Sequence, residues 1–124
     1  MKTLRNFTDL IVWQKSHKLV LRIYKLVKLF PREEQFGLSN QLRRSAVSIT
    51  SNIAEGFGRR GGKEKAQFYS YALSSSYEAQ NQIMIARDVG FISLSKAEII
   101  LEESIEINKV LNTLIKRVKS LPRN

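Results

Sequence analysis

Apolar side chains recur at intervals of three and four residues in four segments of the chain, a spacing typical of one face of an α-helix. The segments predict helices over about residues 9–30, 37–55, 63–89 and 95–121. The first helix is expected to end at Phe30, because the residue before a proline is pushed out of the α region. Since short connections join the four helices, the pattern predicts a single domain over residues 1–124, an all-α, antiparallel up-down four-helix bundle.

A core face can be assigned to each predicted helix. In the first helix, the side chains that fall within one narrow arc are Trp13, Val20, Tyr24 and Val27. The corresponding positions of the other three are Leu38, Leu42, Ala46, Ile49 and Ile53; Phe68, Ala72, Ser75, Ala79, Ile83 and Ala86; and Ile100, Ser104, Ile107, Leu111, Leu114, Val118 and Leu121. These faces are expected to meet in one core.

Local patterns predict where the helices begin and end. Four glycines between residues 56 and 62 predict a break between the second and third helices. Gly90 is the expected residue after the third helix, where a left-handed conformation is common. The run Ser95-Lys-Ala-Glu98 matches a capping box that opens the fourth helix, and Pro122 is expected to close it.

The third and fourth helices carry more apolar surface than one bundle core uses. Beside their core faces lie Tyr69, Leu73, Tyr77, Met84, Leu101 and Ile105. Because contiguous exposed apolar patches usually mark interfaces, these six residues are predicted to form a homo-oligomer interface. The alternative is that these two helices are simply the most buried pair. The interface is favoured because Tyr69 and Tyr77 lie nearly opposite the predicted core face.

The charge of the chain is strongly positive and unevenly distributed. Twenty-one Lys and Arg side chains against eleven Asp and Glu give a net charge of +10 and a pI near 10.2. Such a surplus favours a polyanionic partner, and residues 1–30 alone hold seven basic and one acidic side chain, or +6. The chain has no cysteine, which excludes disulfides and thiolate metal sites. With neither a signal peptide nor a membrane-spanning apolar run, a soluble, cytoplasmic protein is expected.

Two groups of basic side chains are candidate nucleic-acid-binding sites. The first is a stripe about 15 Å long on the predicted outer face of the first helix, formed by Lys15, Lys18, Arg22 and Lys25. The second lies in the glycine-rich connection near the predicted start of the third helix and consists of Arg59, Arg60 and Lys63. The alternatives are a solubilising face for the stripe and a solvated helix connection for the loop.

Other chemistry finds less support in the sequence. Residues 56–61 match G-x-G-x-x-G, but a helix precedes them where dinucleotide binding needs a strand. His17, the only histidine, is expected on the inner side of the first helix in a hydrogen-bonded packing role. A structural hydrogen-bond and ion-pair network is predicted for Gln41, Arg43, Arg44, Asn52, Glu55 and Glu78. No catalytic residue, metal site or cofactor is predicted.

Motifs along nearly the whole chain resemble the small four-helix-bundle proteins encoded in intervening sequences of bacterial 23S ribosomal RNA genes. The most specific motif is Ser51-Asn-Ile-Ala-Glu-Gly56. Further matches are Asp9-Leu-Ile-Val-Trp-Gln-Lys15, Phe30-Pro31, Phe36-Gly-Leu38 and Gln41-Leu-Arg-Arg-Ser-Ala-Val-Ser-Ile49. The chain departs from the family at Gly61, where a serine cap is frequent, and at Gln80, where the family often has a second carboxylate.

The resemblance implies a left-handed bundle and a ring-like homopentamer. It also implies distant kinship with the accessory protein of diversity-generating retroelements, a basic pentamer that binds nucleic acid and a reverse transcriptase. No activity is established for the family itself. We therefore expect a non-enzymatic homo-oligomer that binds nucleic acid electrostatically, RNA before DNA on the resemblance alone, and no membrane. The alternative is a protein–protein interaction scaffold whose charge serves solubility.

Overall fold

The computed structural model describes residues 4–121 and is all-α, with four helices and no strand in this range. The helices are α1 Ile11–Leu26, α2 Leu38–Gly58, α3 Gly62–Asp88 and α4 Leu94–Lys119. Single turns of 3-10 helix are Phe7–Asp9, Val27–Leu29 and Arg32–Glu34. The all-α class is therefore confirmed, whereas Pro122, the predicted end of the last helix, lies outside the described residues.

The four helices form a bundle in which each packs against two others. Helices α1 and α3 both contact α2 and α4. The predicted core faces of α2, α3 and α4 supply a large share of the buried interior, although Leu121 is 49% exposed. Buried fully or nearly fully are Leu42, Ala46, Ile49, Ile53, Ala72, Ala79, Ile83, Ala86, Ile100, Ser104, Ile107 and Leu111. Burying a leucine or isoleucine side chain stabilises the fold by about 1.5–3 kcal/mol, so this core is the main source of stability.

The core face of α1 differs from the predicted one. The buried residues of this helix are Val12, Ser16, Leu19, Val20, Ile23 and Leu26. Of the predicted core residues, Val20 and Val27 are buried and Trp13 packs against the core, whereas Tyr24 is 43% exposed. Since successive residues of an α-helix are turned by about 100°, α1 is rotated by less than that angle from the predicted orientation. Both arcs are apolar, so periodicity did not distinguish them.

The glycine-rich segment is mostly helical. Gly56 and Gly58 lie in the last turn of α2, which runs three residues past its predicted end, and Gly62 begins α3. Only residues 59–61 connect the two helices. The predicted break at Gly56 was wrong, because a helical glycine costs only about 1 kcal/mol relative to alanine and packing offsets that cost.

Two of these glycines permit close approaches between helices. A Cβ atom on Gly62 would lie 1.9 Å from the backbone carbonyl oxygen of Val118 in α4. A Cβ on Gly56 would lie 2.6 Å from the ring of Tyr69 in α3. Any side chain at either position would therefore force neighbouring helices apart, so both glycines are required by packing.

The end of α3 matches the prediction at Gly90. This residue has φ +86°, in the left-handed region that favours glycine. The amide of Phe91 donates to the carbonyl of Ala86 at 2.8 Å, and the amide of Gly90 to that of Arg87 at 3.1 Å. The two bonds form a Schellman motif, which satisfies carbonyls that the helix itself leaves free.

The start of α4 differs from the predicted capping box. The hydroxyl of Ser93 accepts a hydrogen bond from the amide of Lys96 at 3.2 Å and caps the helix. Ser95, the predicted cap, lies inside the first turn. The helix begins two residues earlier than the predicted capping box would place it, because an equivalent serine was available upstream.

Candidate nucleic-acid interface

Two of the four basic side chains in the α1 stripe are engaged by acidic side chains of α4. The Nζ atom of Lys15 lies 2.6 Å from Glu106 Oε1, and Nε of Arg22 lies 2.8 Å from Glu103 Oε1. The hydrogen bond and charge of Lys15 hold the pKa of Glu106 below its ordinary value. The orientation of α1 turns this edge of the stripe toward α4. The side chains of Lys15 and Arg22 stay 38% and 52% exposed, but acidic partners compensate their charges.

The other half of the stripe stays on the outer surface of α1. Lys18 and Lys25 are exposed, and neither makes an ion pair or a hydrogen bond within residues 4–121. Lys28, in the 3-10 turn that follows α1, is also exposed and lacks a partner in the same range. These three lysines, which we call the outer lysines, have ammonium groups available to an external anion.

In the connection between α2 and α3, Arg59 is held on two sides. Its Nη2 atom lies 3.0 Å from Glu55 Oε2, one turn earlier. Its guanidinium carbon lies 4.4 Å from the centre of the Phe68 ring, within the range of a cation–π contact. Arg59 is therefore largely committed to neighbours inside the chain.

Lys65 has a structural role beside this connection. Its Nζ atom donates to the carbonyl oxygens of Phe57 at 2.7 Å and Gly56 at 3.3 Å in the last turn of α2, and the Gly56 carbonyl also accepts from the amide of Arg59 at 3.2 Å. Burial lowers the pKa of Lys65. Of the two other candidate cations of the loop, Arg60 and Lys63 are both exposed.

Hydrogen bonds between α2 and α3 form a polar network with different members from those predicted. It consists of two chains, Ser45–Gln82–Glu78 and Asn52–Ser48–Ser75. Of the predicted members, only Asn52 and Glu78 take part. Glu55 pairs with Arg59, and Gln41 is exposed. Small serine side chains let the two helices approach closely enough for these hydrogen bonds. The longer side chains of Gln41, Arg43 and Arg44 would hold the helices further apart.

Tyr24 and one face of α2 line a groove of about 470 Å³, which the sequence did not predict. Its lining residues are Tyr24, Asn40, Arg43, Arg44, Val47, Ser48 and Ser51. Arg44 is exposed and has no hydrogen bond or ion pair within the described part of the chain. Arg43 donates one long bond, 3.4 Å, to the carbonyl of Gln35. Neither arginine takes part in the internal network predicted for them. The position of Arg44, Ser48 and Ser51 on one face of α2 is the sequence feature that could have indicated a surface site.

Three aromatic side chains contact one another at the start of α1. His17 is exposed, and its ring stacks on the half-buried Trp13 with centroids 4.6 Å apart and an interplanar angle of 13°. The ring of Phe7, which is also half-buried, meets Trp13 edge-on at 5.6 Å. The predicted inner position of His17 was wrong for the same reason as the predicted core face, namely the rotation of α1.

The six residues of the predicted oligomer interface divide into three groups. Tyr77, Met84 and Ile105 are 54%, 40% and 49% exposed, while Leu73 and Leu101 are half-buried against the core. Tyr69 is only 2% exposed, so its assignment to an interface was wrong. Its ring packs over Gly56, and burial raises the pKa of Tyr69 to about 12.

Two classes of site are absent from the described residues. Between Leu4 and Leu121, no three His, Asp or Glu side chains come together where they would hold a metal ion. No helix in the same range is long and apolar enough to cross a membrane.

Known proteins share both the sequence pattern and the fold. The model of the 23S rRNA-intervening sequence protein family matches residues 8–113. A crystal structure at 1.70 Å of a protein of unknown function, from the S23 ribosomal protein family of Bacteroides thetaiotaomicron, is 28% identical in sequence. The match covers 86% of this chain and 99% of that one, with a TM-score of 0.77. No curated protein matches the chain. The resemblance drawn from the motifs is confirmed: the chain belongs to the 23S rRNA-intervening sequence protein family.

Proposed function

We propose that the chain is a non-enzymatic, basic homo-oligomer that binds nucleic acid electrostatically, RNA in preference to DNA. The outer lysines carry this proposal, since they are exposed and have no acidic partner within residues 4–121. Cations of this kind replace the counterions of a phosphate backbone, and the released ions drive binding. The net charge of +10 acts in the same direction. RNA is preferred because the family is named for a ribosomal RNA element, and the neighbour for a ribosomal protein family.

We also propose an antiparallel up-down order of the helices with a left-handed twist. Hydrogen bonds between α2 and α3 support the antiparallel order, because Ser45 pairs with Gln82 whereas the later Ser48 pairs with the earlier Ser75. The left-handed twist is supported by family membership and by the usual packing of four-helix bundles. This order leaves the outer lysines on one edge of the bundle.

Self-association is the second part of the proposal, with a homopentamer as the expected state. Tyr77, Met84 and Ile105 support it, because they expose large apolar side chains on the neighbouring helices α3 and α4. Association would repeat the outer lysines around a ring and multiply the charge presented to one polyanion. Light scattering measures the mass directly, and a monomer at micromolar concentration contradicts this part.

Binding is tested by titrating labelled structured RNA, single-stranded RNA and duplex DNA at several salt concentrations. The test variant is Lys18→Glu with Lys25→Glu. The matched control is Lys96→Glu with Lys116→Glu, which makes the same charge change at two exposed positions of α4. We expect wild type to bind with an affinity that falls steeply with salt, and the α1 variant to lose far more affinity than the control.

Two outcomes contradict the proposal in different ways. If wild type binds no nucleic acid at low salt, the protein–protein scaffold becomes the better account of the exposed apolar surface. If the two variants lose the same affinity, binding follows net charge alone and the outer lysines are not a distinct site.

A further inference from the structure

The groove between α1 and α2 displays an aromatic ring beside two arginines that form no ion pair within residues 4–121. Tyr24 is 43% exposed, and its ring makes no stacking or edge contact with another ring in the described part of the chain. A flat ring left partly in water at the wall of a groove offers one face to a planar ligand. Tyr24 lies at this position because α1 buries a neighbouring arc of its surface in the core.

The opposite wall carries two guanidinium groups. Arg43 and Arg44 line the groove, and no carboxylate of residues 4–121 pairs with either. Guanidinium groups match the geometry of phosphate oxygens, because their N–H donors form a planar fork. A ring and two unpaired guanidinium groups in one groove suit a ligand that combines a planar base with phosphate.

The same wall offers two polar side chains that the chain itself does not use. Asn40 is half-buried and Ser51 is exposed, and the side chain of neither makes a hydrogen bond within the described range. A carboxamide carries both a donor and an acceptor, so Asn40 can meet the edge of a base. Lining residues from Asn40 to Ser51 span about 16 Å along α2, more than one nucleotide needs.

We infer that this groove binds single-stranded nucleic acid, with a base stacked on Tyr24 and a neighbouring phosphate held by Arg43 and Arg44. The inference rests on the proposed function and names the form of nucleic acid that it selects. In a duplex, each base is already stacked and paired, so it cannot reach Tyr24 without unpairing. An unpaired strand has no such cost, and stacking on an aromatic side chain accepts every base.

The outer lysines then determine how tightly a nucleic acid binds, and the groove determines whether a single strand or a duplex is preferred. Lys18 and Lys25 lie on the same helix as Tyr24 and attract any phosphate backbone, paired or unpaired. Only the groove distinguishes a single strand from a duplex. Discrimination and overall affinity should therefore respond to different substitutions.

The experiment measures fluorescence anisotropy of an unstructured single-stranded RNA and of a duplex RNA of equal length. The variants are Tyr24→Leu, which keeps apolar bulk and removes the aromatic face, Tyr24→Phe, which keeps the face, and Arg44→Gln. Tyr71→Leu is the matched control, a tyrosine of α3 that is 46% exposed and lies outside the groove. Circular dichroism and light scattering check the fold and mass of every variant.

Wild type should bind the single strand more tightly than the duplex. Tyr24→Leu should weaken single-strand binding by on the order of tenfold and leave duplex binding unchanged. Tyr24→Phe and Tyr71→Leu should behave as wild type. Arg44→Gln should weaken single-strand binding by roughly fivefold and make it less dependent on salt.

Four results overturn the inference. If wild type prefers the duplex, or if Tyr24→Leu leaves single-strand binding unchanged, the groove is not the site, although electrostatic binding stands. If wild type binds neither RNA, the proposed function fails together with the inference. If Tyr24→Leu lowers the mass of the oligomer, the groove is an interface between copies of the chain.

Discussion

Two regions of this chain are both rich in Lys and Arg but differ in what their basic side chains contact. In the connection between α2 and α3, Arg59 is held by Glu55 and by the ring of Phe68. On the outer surface of α1, Lys18 and Lys25 have no partner within residues 4–121. Both regions were equal candidates for a phosphate site. Their difference shows that acidic and aromatic neighbours, rather than the density of Lys and Arg, determine which cations are available.

The glycines between residues 56 and 62 show a second difference between the two basic regions. In sequence they predict a flexible loop, but Gly56 and Gly62 lie in helices and are required where those helices meet their neighbours. The outer surface of α1 has no such packing constraint. We therefore expect substitutions in the glycine-rich segment to change stability and those on α1 to change binding.

The largest effect is expected for Gly62→Ala. The added Cβ would meet the carbonyl oxygen of Val118 at 1.9 Å, and a backbone atom cannot move aside without displacing α4. We expect a loss of about 3 kcal/mol in the free energy of unfolding, measured by urea denaturation. Gly61→Ala is the control, since nothing lies within 4 Å of its Cβ position, and should cost less than about 1 kcal/mol. Equal losses would contradict the packing role of Gly62.

The next effect concerns Tyr69, which closes over Gly56. Burial raises the pKa of Tyr69 from 10.0 to about 12, so folding favours the neutral phenol. Its contribution is complete below pH 10 and is lost as the pH rises from about 10 to about 12, by about 2–3 kcal/mol. Urea denaturation of wild type and Tyr69→Phe across this range isolates the phenol from other titrating groups. A constant difference between the two proteins would show that the phenol is not desolvated.

A smaller effect is expected for Lys18→Gln combined with Lys25→Gln. Both side chains are exposed, so stability should stay within about 0.5 kcal/mol of wild type. RNA affinity should fall by about tenfold, and the slope of log affinity against log salt should decrease by about two, since two phosphate contacts are lost. An unchanged slope would mean that neither lysine contacts phosphate.

The smallest effect is expected for Arg59→Gln. Because Glu55 and Phe68 hold this guanidinium group, we expect less than about threefold loss of RNA affinity and no change in the salt slope. The measurement is the same salt titration used for the α1 variant. If Arg59→Gln instead lowers the slope as the lysine pair does, the connection contacts phosphate and the contrast between the two regions is removed.

The fold was predictable from the sequence to a large extent. The spacing of apolar residues located all four helices and the core faces of α2, α3 and α4, and Gly90 marked the end of α3. Motifs such as Ser51 to Gly56 identified the family. These features are local, because helical period and backbone conformation are properties of short stretches of chain.

The candidate site was less predictable, since it depends on contacts between helices. The ion pairs of Lys15 and Arg22 join residues that are 91 and 81 positions from their partners, Glu106 and Glu103, in the sequence. The groove at Tyr24 requires α1 and α2 to lie side by side. No periodicity within one helix carries that information.

The all-α class, the basic surplus and the apolar stripes whose burial stabilises the fold could all be predicted from the order of the amino acids. The rotation of α1 about its axis depends on tertiary packing, because two neighbouring arcs of that helix are apolar and only contact with α2 and α4 selects one of them. That rotation pairs Lys15 and Arg22 with α4, leaves Lys18 and Lys25 outside, and exposes Tyr24. A rotation smaller than the roughly 100° between successive residues thus determines which side chains can meet a ligand.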